Sequence, residues 1–382
     1  MAEARRIYLD HHAMAPLVPA AAEAIARARR DAWANPASPH APGRVARRYL
    51  EEARAQVAEA VGAEPADIVL TGGGTEACNL AVLGLGAGAR RIVTTAVEHP
   101  AVAAAVARLE RAGATVEALP CPAGVPPGAQ ALEAAAEGAD LVAVQWVNHE
   151  TGTVFPVAAY GAVCRRLGVP LVVDGTQALG KVEVEVGRSG AAAVAFASTK
   201  IGGPAGAGAL WVARARTALS AQLLGGAQER GRRAGTPDVA ALAGFGAACD
   251  EVPSRLAAQP AIADRRDAVA AALRSAGAAV NATAGPRVAT VAHASVRGAR
   301  GPVLVAALDL EGIAASSGAA CSSGLDEPSP VLRAMYPDEP WRAEGALRLS
   351  LGPSTTDEDI ERAGAALARV LARAARRVGR RA

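Results

Sequence analysis

From residue 18 to about residue 255 the sequence alternates between segments with helical periodicity and short apolar segments. An alternation of this kind predicts an α/β fold, with a mostly parallel sheet and helices on both of its faces. The predicted helices are 18–31, 43–61, 75–87, 100–112, 130–137 and 157–167. The predicted strands are 67–71, 91–95, 115–119, 141–147, 170–174, 192–197 and 208–213.

After this region the pattern changes to that of a smaller α+β unit. The predicted helices 238–257 and 260–276 lead into this unit, whose predicted helices are 302–311 and 357–378 and whose predicted strands are 288–295, 313–316 and 346–351. With 382 residues the chain exceeds the roughly 250–300 residues at which a single core stops growing. We therefore expect a large domain over 15–255 and a small domain formed by 1–14 together with 256–382.

Composition excludes several classes of protein. The net charge is +3, and the arginine clusters at the two chain ends are not interleaved with aromatic residues, so we expect no direct nucleic-acid partner. The five cysteines contain no C-x-x-C pair, which argues against disulfides or a metal site and favours a reducing compartment. No apolar run reaches the roughly 18 residues of a membrane span. We expect a soluble, cytoplasmic protein without a membrane partner.

Lys200 follows the apolar run AAAVAFAST and precedes the small-residue segment IGGPAGAGALWV. An ammonium group is costly to desolvate, and a common reason to place one here is a Schiff base. Upstream, Asp174 ends the apolar run VPLVVD. The pair suggests pyridoxal 5′-phosphate (PLP), with the acid on the pyridinium nitrogen and the lysine on the aldehyde carbon. A buried ion pair between neighbouring strands is the alternative.

Three further segments follow predicted strands. LTGGGTEACNLAVLG (70–84) combines a glycine-rich turn with a helix start, which suits a phosphate but also suits a tight turn capped by Thr75. His99 precedes Pro100 and is either a residue that stacks on a cofactor or moves a proton, or a surface histidine. Asn148 ends a strand, where its amide can bind a carboxylate or a cofactor oxygen.

The remaining polar segments carry arginines and one cysteine. Arg230, Arg232 and Arg233 form either an anion cluster or a solvated loop. Cys321 lies in ASSGAACSSGLDEPSP (315–330), whose serines, glycines and prolines predict an exposed loop. Arg348 interrupts a strand of small and apolar residues, so we expect it to bind a carboxylate from the protein or from a substrate.

In this order the motifs resemble those of the cysteine desulfurases, PLP-dependent enzymes of the class V aminotransferase group. The resemblance also includes IYLDHHAMAPL at the N-terminus, NPASPHAPGR (35–44) and QERGRRAGT (228–236), and it extends to residue 360. It implies the PLP-dependent transferase fold type I and a homodimer. The serine-rich cysteine segment resembles the subgroup that supplies sulfur for iron–sulfur clusters and tRNA thiolation.

The resemblance also implies roles for individual residues. Lys200 would bind the cofactor covalently, Asp174 would pair the pyridinium nitrogen, Gln177 would contact the ring hydroxyl and His99 would stack on the ring. The phosphate would be held by Gly74, Thr75 and, from the partner subunit, Thr236. Asn148 and Arg348 would bind the substrate carboxylate, and Lys200, His99 and Cys321 would be the catalytic residues.

Two positions depart from the pattern of these enzymes. The residue before the Schiff-base lysine is usually histidine, with a serine two residues earlier, whereas this chain has Thr199 and Ala197. The hydroxyls of Ser198 and Thr199 are the candidate substitutes, but a neutral donor binds phosphate more weakly than a charged one. We therefore expect weaker cofactor retention.

The activity implied is removal of sulfur from L-cysteine to give L-alanine and a persulfide on Cys321. The sulfur would then pass to an acceptor protein, either a scaffold or a tRNA-thiolation relay. Other class V enzymes, such as aminotransferases or selenocysteine lyases, would need Lys200 but not Cys321. A lysine-dependent enzyme without the cofactor and a non-catalytic scaffold are the remaining alternatives.

Overall fold

The computed structural model describes residues 5–214, 219–318 and 327–378. The strands of this part of the chain are β1 (Ile7–Tyr8), β2 (Ile68–Thr71), β3 (Arg91–Thr95), β4 (Thr115–Leu119), β5 (Leu141–Gln145), β6 (Leu171–Asp174), β7 (Ala193–Ala197), β8 (Gly208–Val212), β9 (Ala279–Val280), β10 (Val291–Ser295), β11 (Ile313–Ala314) and β12 (Ala346–Ser350).

The helices of the same part of the chain are α1 (Pro19–Asp31), α2 (Ala41–Ala60), α3 (Gly74–Leu85), α4 (Pro100–Arg111), α5 (Ala129–Ala136), α6 (Val157–Leu167), α7 (Val186–Ser189), α8 (Val239–Cys249), α9 (Val252–Ala257), α10 (Gln259–Ser275), α11 (Gly301–Leu310), α12 (Pro330–Met335), α13 (Trp341–Glu344) and α14 (Asp357–Val378). Every helix and strand predicted from the sequence has a counterpart here, although some of their ends differ.

Seven strands form the main sheet in the order β2-β8-β7-β6-β5-β3-β4. Strand β8 runs antiparallel to both of its neighbours, and the other pairs are parallel. The prediction of a mostly parallel α/β sheet is confirmed. Because Gln145 pairs with Asp174 in register, the carboxyl ends of β5 and β6 lie side by side at one edge of the sheet.

Alternate residues of the central strands enter different apolar clusters. In β5, Val142 and Val144 belong to one cluster, whereas Leu141 and Ala143 belong to another that includes residues of α3 and α4. All five residues of β5 are buried. A parallel strand buried on both faces reads as a continuous apolar run, which is why the alternation of polarity was absent from the sequence.

A second apolar cluster is built from the N-terminal strand and the C-terminal third of the chain. Strand β1 pairs with β11, and β12-β10-β9 form an antiparallel sheet against α10 and α14. On this packing we propose the division into a large domain over 15–255 and a small domain formed by 1–14 with 256–382.

The predicted helical stretch 238–257 is two helices, α8 and α9. The break lies at Asp250 and Glu251, and Pro253 occupies the first turn of α9. Proline lacks the N–H that a helix interior needs, but it is tolerated in a first turn, where that N–H would be unpaired. The continuous helix was therefore the wrong interpretation of this segment.

A buried ion pair attaches the segment 225–236 to the main sheet. Arg54 of α2 donates two hydrogen bonds to the Glu229 carboxylate, at 2.6 and 2.7 Å, and the backbone N–H of Leu70 donates a third at 2.9 Å. Both charged side chains are only 6% exposed. Glu229 holds this position with a left-handed backbone (φ 47°), a conformation that a side chain other than glycine rarely adopts.

Replacing Glu229 with alanine is expected to reduce the free energy of unfolding by about 3 kcal/mol, because the buried Arg54 would keep only the half-exposed Glu51 carboxylate, 3.1 Å from its Nε, as a charged partner. The matched control is Glu52→Ala, which removes an exposed partner 3.6 Å from Arg48 and should change that energy by less than about 1 kcal/mol. Denaturant unfolding monitored by circular dichroism measures both. Equal losses in the two variants would show that the buried pair contributes no more than a surface pair.

Candidate active site

A cavity lies at the carboxyl edge of the main sheet, and most of the predicted site residues line it. These are Gly74, Thr75, His99, Asp174, Gln177, Thr199, Lys200 and Arg348. They come from different strands, turns and helices, but β2, β3, β5 and β6 end at the same edge of the sheet. The topology therefore brings together residues that are far apart in sequence.

Lys200 ends a short 3₁₀ turn, Ser198–Lys200, that follows β7 directly. Its Nζ donates hydrogen bonds to the backbone carbonyls of Ala13, at 2.7 Å, and His12, at 3.1 Å. The N-terminal segment is itself fixed to this turn, because the N–H of Ala15 donates to the carbonyl of Thr199 at 2.8 Å. The amine is thus held at the cavity wall by main-chain acceptors.

Asp174 is the last residue of β6 and is 5% exposed. One carboxylate oxygen accepts a hydrogen bond from the backbone N–H of Thr176 at 3.0 Å. Cys78 lies nearby in the cavity wall, and burial, together with the charges of Asp174 and Glu98, raises the pKa of its thiol well above the usual range. The carboxylate therefore faces the cavity next to a thiol that stays protonated.

The glycine-rich turn between β2 and α3 packs too closely for any side chain at Gly74. A Cβ there would lie 2.8 Å from Thr176 Cγ2 and 2.9 Å from Ala197 Cβ. Helix α3 begins at this glycine, and Gly74 and Thr75 line the cavity at its N-terminal end. Unpaired N–H groups and the positive end of the helix dipole suit a phosphate at this position.

Two arginines of the segment 225–236, which packs near this turn, have protein partners. Arg233 Nε donates to the Glu76 carboxylate of α3 at 2.8 Å, and Glu76 also accepts from the N–H of Gly72 at 2.9 Å. Arg230 donates to the carbonyl of Ala66. For Arg230 and Arg233 the structure shows attachment to the neighbouring elements rather than a cluster of open cations.

The side chains of Gln177 and His99 both bond to the main chain, Gln177 as a donor and His99 as an acceptor. Gln177 Nε2 donates to the carbonyl of His12 at 2.9 Å, whereas its buried Oε1 has no hydrogen-bond partner among the described residues. His99 is the N-cap of α4, where its Nδ1 accepts from the N–H of Ala101 at 3.1 Å. Its ring meets that of His149 edge to face, with the centroids 4.9 Å apart.

Two predicted residues lie behind the cavity wall rather than in it. Asn148 is fully buried, and its Nδ2 donates to the carbonyl of Val97 while its Oδ1 accepts from the N–H of Thr151. Ser198 is also buried, and its Oγ faces Gly203, where a Cβ would lie 2.1 Å away. Asn148 thus braces the turn that carries His149 into the cavity, whereas the buried Ser198 Oγ has no hydrogen-bond partner among the described residues.

Arg348 of β12 is 1% exposed and already has the carboxylate that its sequence context predicted. Its Nη2 donates to Asp10 Oδ1 at 2.8 Å, and its Nη1 donates to the carbonyl of His149 at 2.9 Å. The buried Nε has no hydrogen-bond partner among the described residues. Arg348 still lines the cavity, so a substrate carboxylate would bind beside the Asp10 ion pair.

Among the cavity residues that were not predicted from the sequence are two histidines, His12 and His149. Burial, the largest cause, and nearby positive charge both lower the pKa of each imidazole well below its ordinary value. The sequence marks them only as one of the paired histidines at 11 and 12 and as the histidine directly after the strand-ending asparagine, and neither pattern shows that the ring reaches the cavity.

Two predicted residues remain outside this geometry. Thr236 is exposed and does not line the cavity of its own chain. Cys321 lies outside the described residues. In the part of the chain that the structure describes, no helix combines the length and apolarity of a membrane span, and no cluster of three or more potential ligands suits a metal ion.

Comparison with known proteins identifies the family. Residues 7–363 match the family model described as aminotransferase class V. An IscS-like cysteine desulfurase of Mycobacterium tuberculosis is 41% identical over 97% of each chain, and a cysteine desulfurase of Frankia is 39% identical over 96% of this chain and 91% of that one.

Solved structures agree with the sequence matches. A NifS-like protein superposes with a TM-score of 0.88 at 26% identity, covering 96% of this chain and 99% of that one. The structure titled SspA in complex with cysteine has a TM-score of 0.80 at 27% identity, covering 92% and 100% of the two chains. The resemblance found in the sequence is confirmed, and this chain belongs to the class V aminotransferase family.

Proposed function

We propose that this protein is a PLP-dependent cysteine desulfurase, which converts L-cysteine to L-alanine and carries the sulfur as a persulfide on Cys321. The observation that carries the proposal is the convergence of Lys200, Asp174 and the Gly74 turn in one cavity. The relatives named cysteine desulfurase, which match over nearly the whole chain, support the same reaction.

The residues present fit the cofactor. The unpaired Gln177 Oε1 is an acceptor for the ring hydroxyl, and the Asp174 carboxylate suits a protonated ring nitrogen. Gly74 and Thr75 offer the start of α3 to the phosphate, and His99, which lines the cavity, would stack on the pyridine ring. When bound, PLP would supply an electron sink for the charge released at the substrate Cα.

The chain's own groups supply the remaining chemistry. Lys200 Nζ is the base placed to take the Cα proton, since the carbonyls of His12 and Ala13 orient it at the cavity wall. Arg348 binds the substrate carboxylate. The Cys321 thiolate then attacks the substrate sulfur, and the sulfur–sulfur bond forms as the sulfur–Cβ bond breaks with its electron pair going to the carbon side. Cβ takes up a proton, Lys200 returns the proton to Cα, and alanine leaves.

The test is to give holoenzyme L-cysteine and no other substrate, then to quantify alanine and examine Cys321 by peptide mass spectrometry. We expect alanine together with one added sulfur atom on the Cys321 peptide. An aminotransferase would instead require an oxo-acid acceptor and would leave Cys321 unmodified. A lyase selective for selenocysteine would release alanine from L-selenocysteine but not from L-cysteine, and a scaffold would release none from either.

We also propose a homodimer and a cytoplasmic location. Thr236 lies three residues after Arg233, which is bonded to Glu76 of α3. Because the Thr236 side chain is exposed in its own subunit, it would contact the phosphate in the cavity of the partner subunit. The free thiols of Cys78, Cys121, Cys164 and Cys249 suit a reducing compartment. The sulfur acceptor would be a scaffold protein or a tRNA-thiolation relay, without direct contact with nucleic acid.

Replacing Thr199 with histidine is expected to tighten PLP binding about tenfold. Thr199 lines the cavity, and a charged donor to phosphate is worth about 1–2 kcal/mol more than a neutral one. The measurement is the dissociation constant of PLP from apoenzyme, followed by absorbance. Thr199→Gln, which adds length and a neutral donor, is the matched control, and equal affinities for the histidine variant and the unmodified protein would contradict the prediction.

A further inference from the structure

A second, smaller cavity lies on the other side of Lys200 from the candidate active site. Four basic side chains contribute to its wall, namely His11, Lys181, Lys200 and Arg255, among otherwise mostly small and apolar residues. No aspartate or glutamate is found among the described residues that line it. The sequence contains only two lysines among its 40 basic residues, and both of them line this cavity.

Two of these cations have buried nitrogens without partners. Lys181 Nζ and Arg255 Nε have no hydrogen-bond acceptor among the described residues. The nearby Gln259 amide donates through Nε2 to the carbonyls of Gly180, at 3.1 Å, and Arg255, at 3.0 Å, while its buried Oε1 has no hydrogen-bond partner among the described residues. No carboxylate lines the cavity, and Glu251, outside the lining and four residues before Arg255, is the acidic group whose charge acts on that guanidinium.

Such an arrangement is unfavourable in an empty cavity. Burial, followed by the positive charges of Lys200 and Arg255, lowers the pKa of Lys181 to about 7. Burial, Arg255 and Lys181 similarly lower the pKa of His11 to about 4. Lys181 and His11 can lose a proton, but a guanidinium cannot be deprotonated in a protein, so the partly buried positive charge of Arg255 persists, with its Nε buried and Glu251 as the opposite charge outside the cavity.

The size of the cavity restricts what can compensate that charge. The cavity has a volume of about 20 Å³, which is enough for one particle of the size of a water molecule. Sulfate, phosphate and carboxylates are too large. We propose that a monatomic anion of the size of chloride binds in this cavity between Lys181 and Arg255, directly behind Lys200.

The test compares holoenzyme in sodium chloride, sodium bromide and sodium gluconate at equal ionic strength. We expect both halides to raise the melting temperature saturably, by about 2 °C or more relative to gluconate. Lys181→Met keeps the length of the side chain and removes the ammonium, so it should abolish the halide response. Arg188→Met is the matched control, because that side chain is 85% exposed, and it should retain the response.

Crystals of the unmodified holoenzyme grown in bromide provide an independent measurement that does not require the variant to fold. An anomalous peak between Lys181 and Arg255 is expected. Equal melting temperatures in all three salts, a full halide response in Lys181→Met, or a water without anomalous signal in the cavity would each overturn the proposal. None of these measurements depends on desulfurase activity, so failure here leaves the proposed function separately testable.

Discussion

Alanine in place of Lys200 is expected to lower the rate of alanine formation from L-cysteine by at least about 10³-fold, because the variant loses the proton-transferring base. It would also lose the covalent attachment of PLP. Borohydride reduction followed by peptide mapping measures that attachment directly. Since the chain has only two lysines, the reduced cofactor can mark only Lys200, Lys181 or the N-terminal amine.

The two lysines provide the control. Lys181 Nζ is buried in the neighbouring cavity, so Lys181→Met should still acquire the label on Lys200. A label on Lys181 in the unmodified protein, or no label on either lysine, would contradict both the assignment of Lys200 and the reaction proposed for the chain. Retained alanine formation in Lys200→Ala would do so as well.

Most of the sheet could be predicted because its strands are short apolar runs that end in turn residues. Helix α6 and strand β3 have the predicted bounds. The direction of β8 was not predicted, although the glycine-rich connection 201–207 contains no helix. Parallel neighbours need a crossover of a dozen or more residues, so this short connection requires the antiparallel pairing observed with β7.

The short helices α12 and α13 were missed for a different reason. Six and four residues long, they carry too few turns for a periodic pattern. Helix α12 begins at Pro330, with Ser329 as its N-cap accepting from the N–H of Leu332 at 3.0 Å. The sequence analysis read that proline as evidence against helix, whereas at a first turn it favours one.

In the site, too, residues placed by local sequence could be predicted, whereas residues placed by packing of distant segments could not. Asp174 and His99 could be predicted because each follows a buried strand, whose end determines where the side chain lies. His12 could not, because it reaches the cavity only when the N-terminal segment folds against distant elements, with its Nε2 2.9 Å from Thr290 Oγ1. At the end of β5, a single turn decides that His149 rather than Asn148 lines the cavity.

Serine in place of Cys321 is expected to abolish persulfide formation and sulfur transfer while PLP binding and exchange of the substrate Cα proton persist. The other four cysteines are buried, and burial raises the pKa of their thiols, to about 12 for Cys121 and about 11 for Cys164. The thiolate is the attacking form, so these residues are poor nucleophiles at neutral pH. Cys321 lies outside the described residues, so burial is stated only for the other four cysteines.

The two parts of the reaction can be measured separately. Proton exchange in deuterated solvent, followed by NMR of recovered L-cysteine, reports on Lys200 and the cofactor, and sulfide or persulfide assays report on the thiol. Cys164→Ser is the matched control and should keep both activities, because Cys164 is a buried residue of α6 and does not line the cavity. Sulfur transfer that survives in Cys321→Ser would mean that another group takes the sulfur, and loss of proton exchange would mean that Cys321 acts before the carbon–sulfur bond breaks.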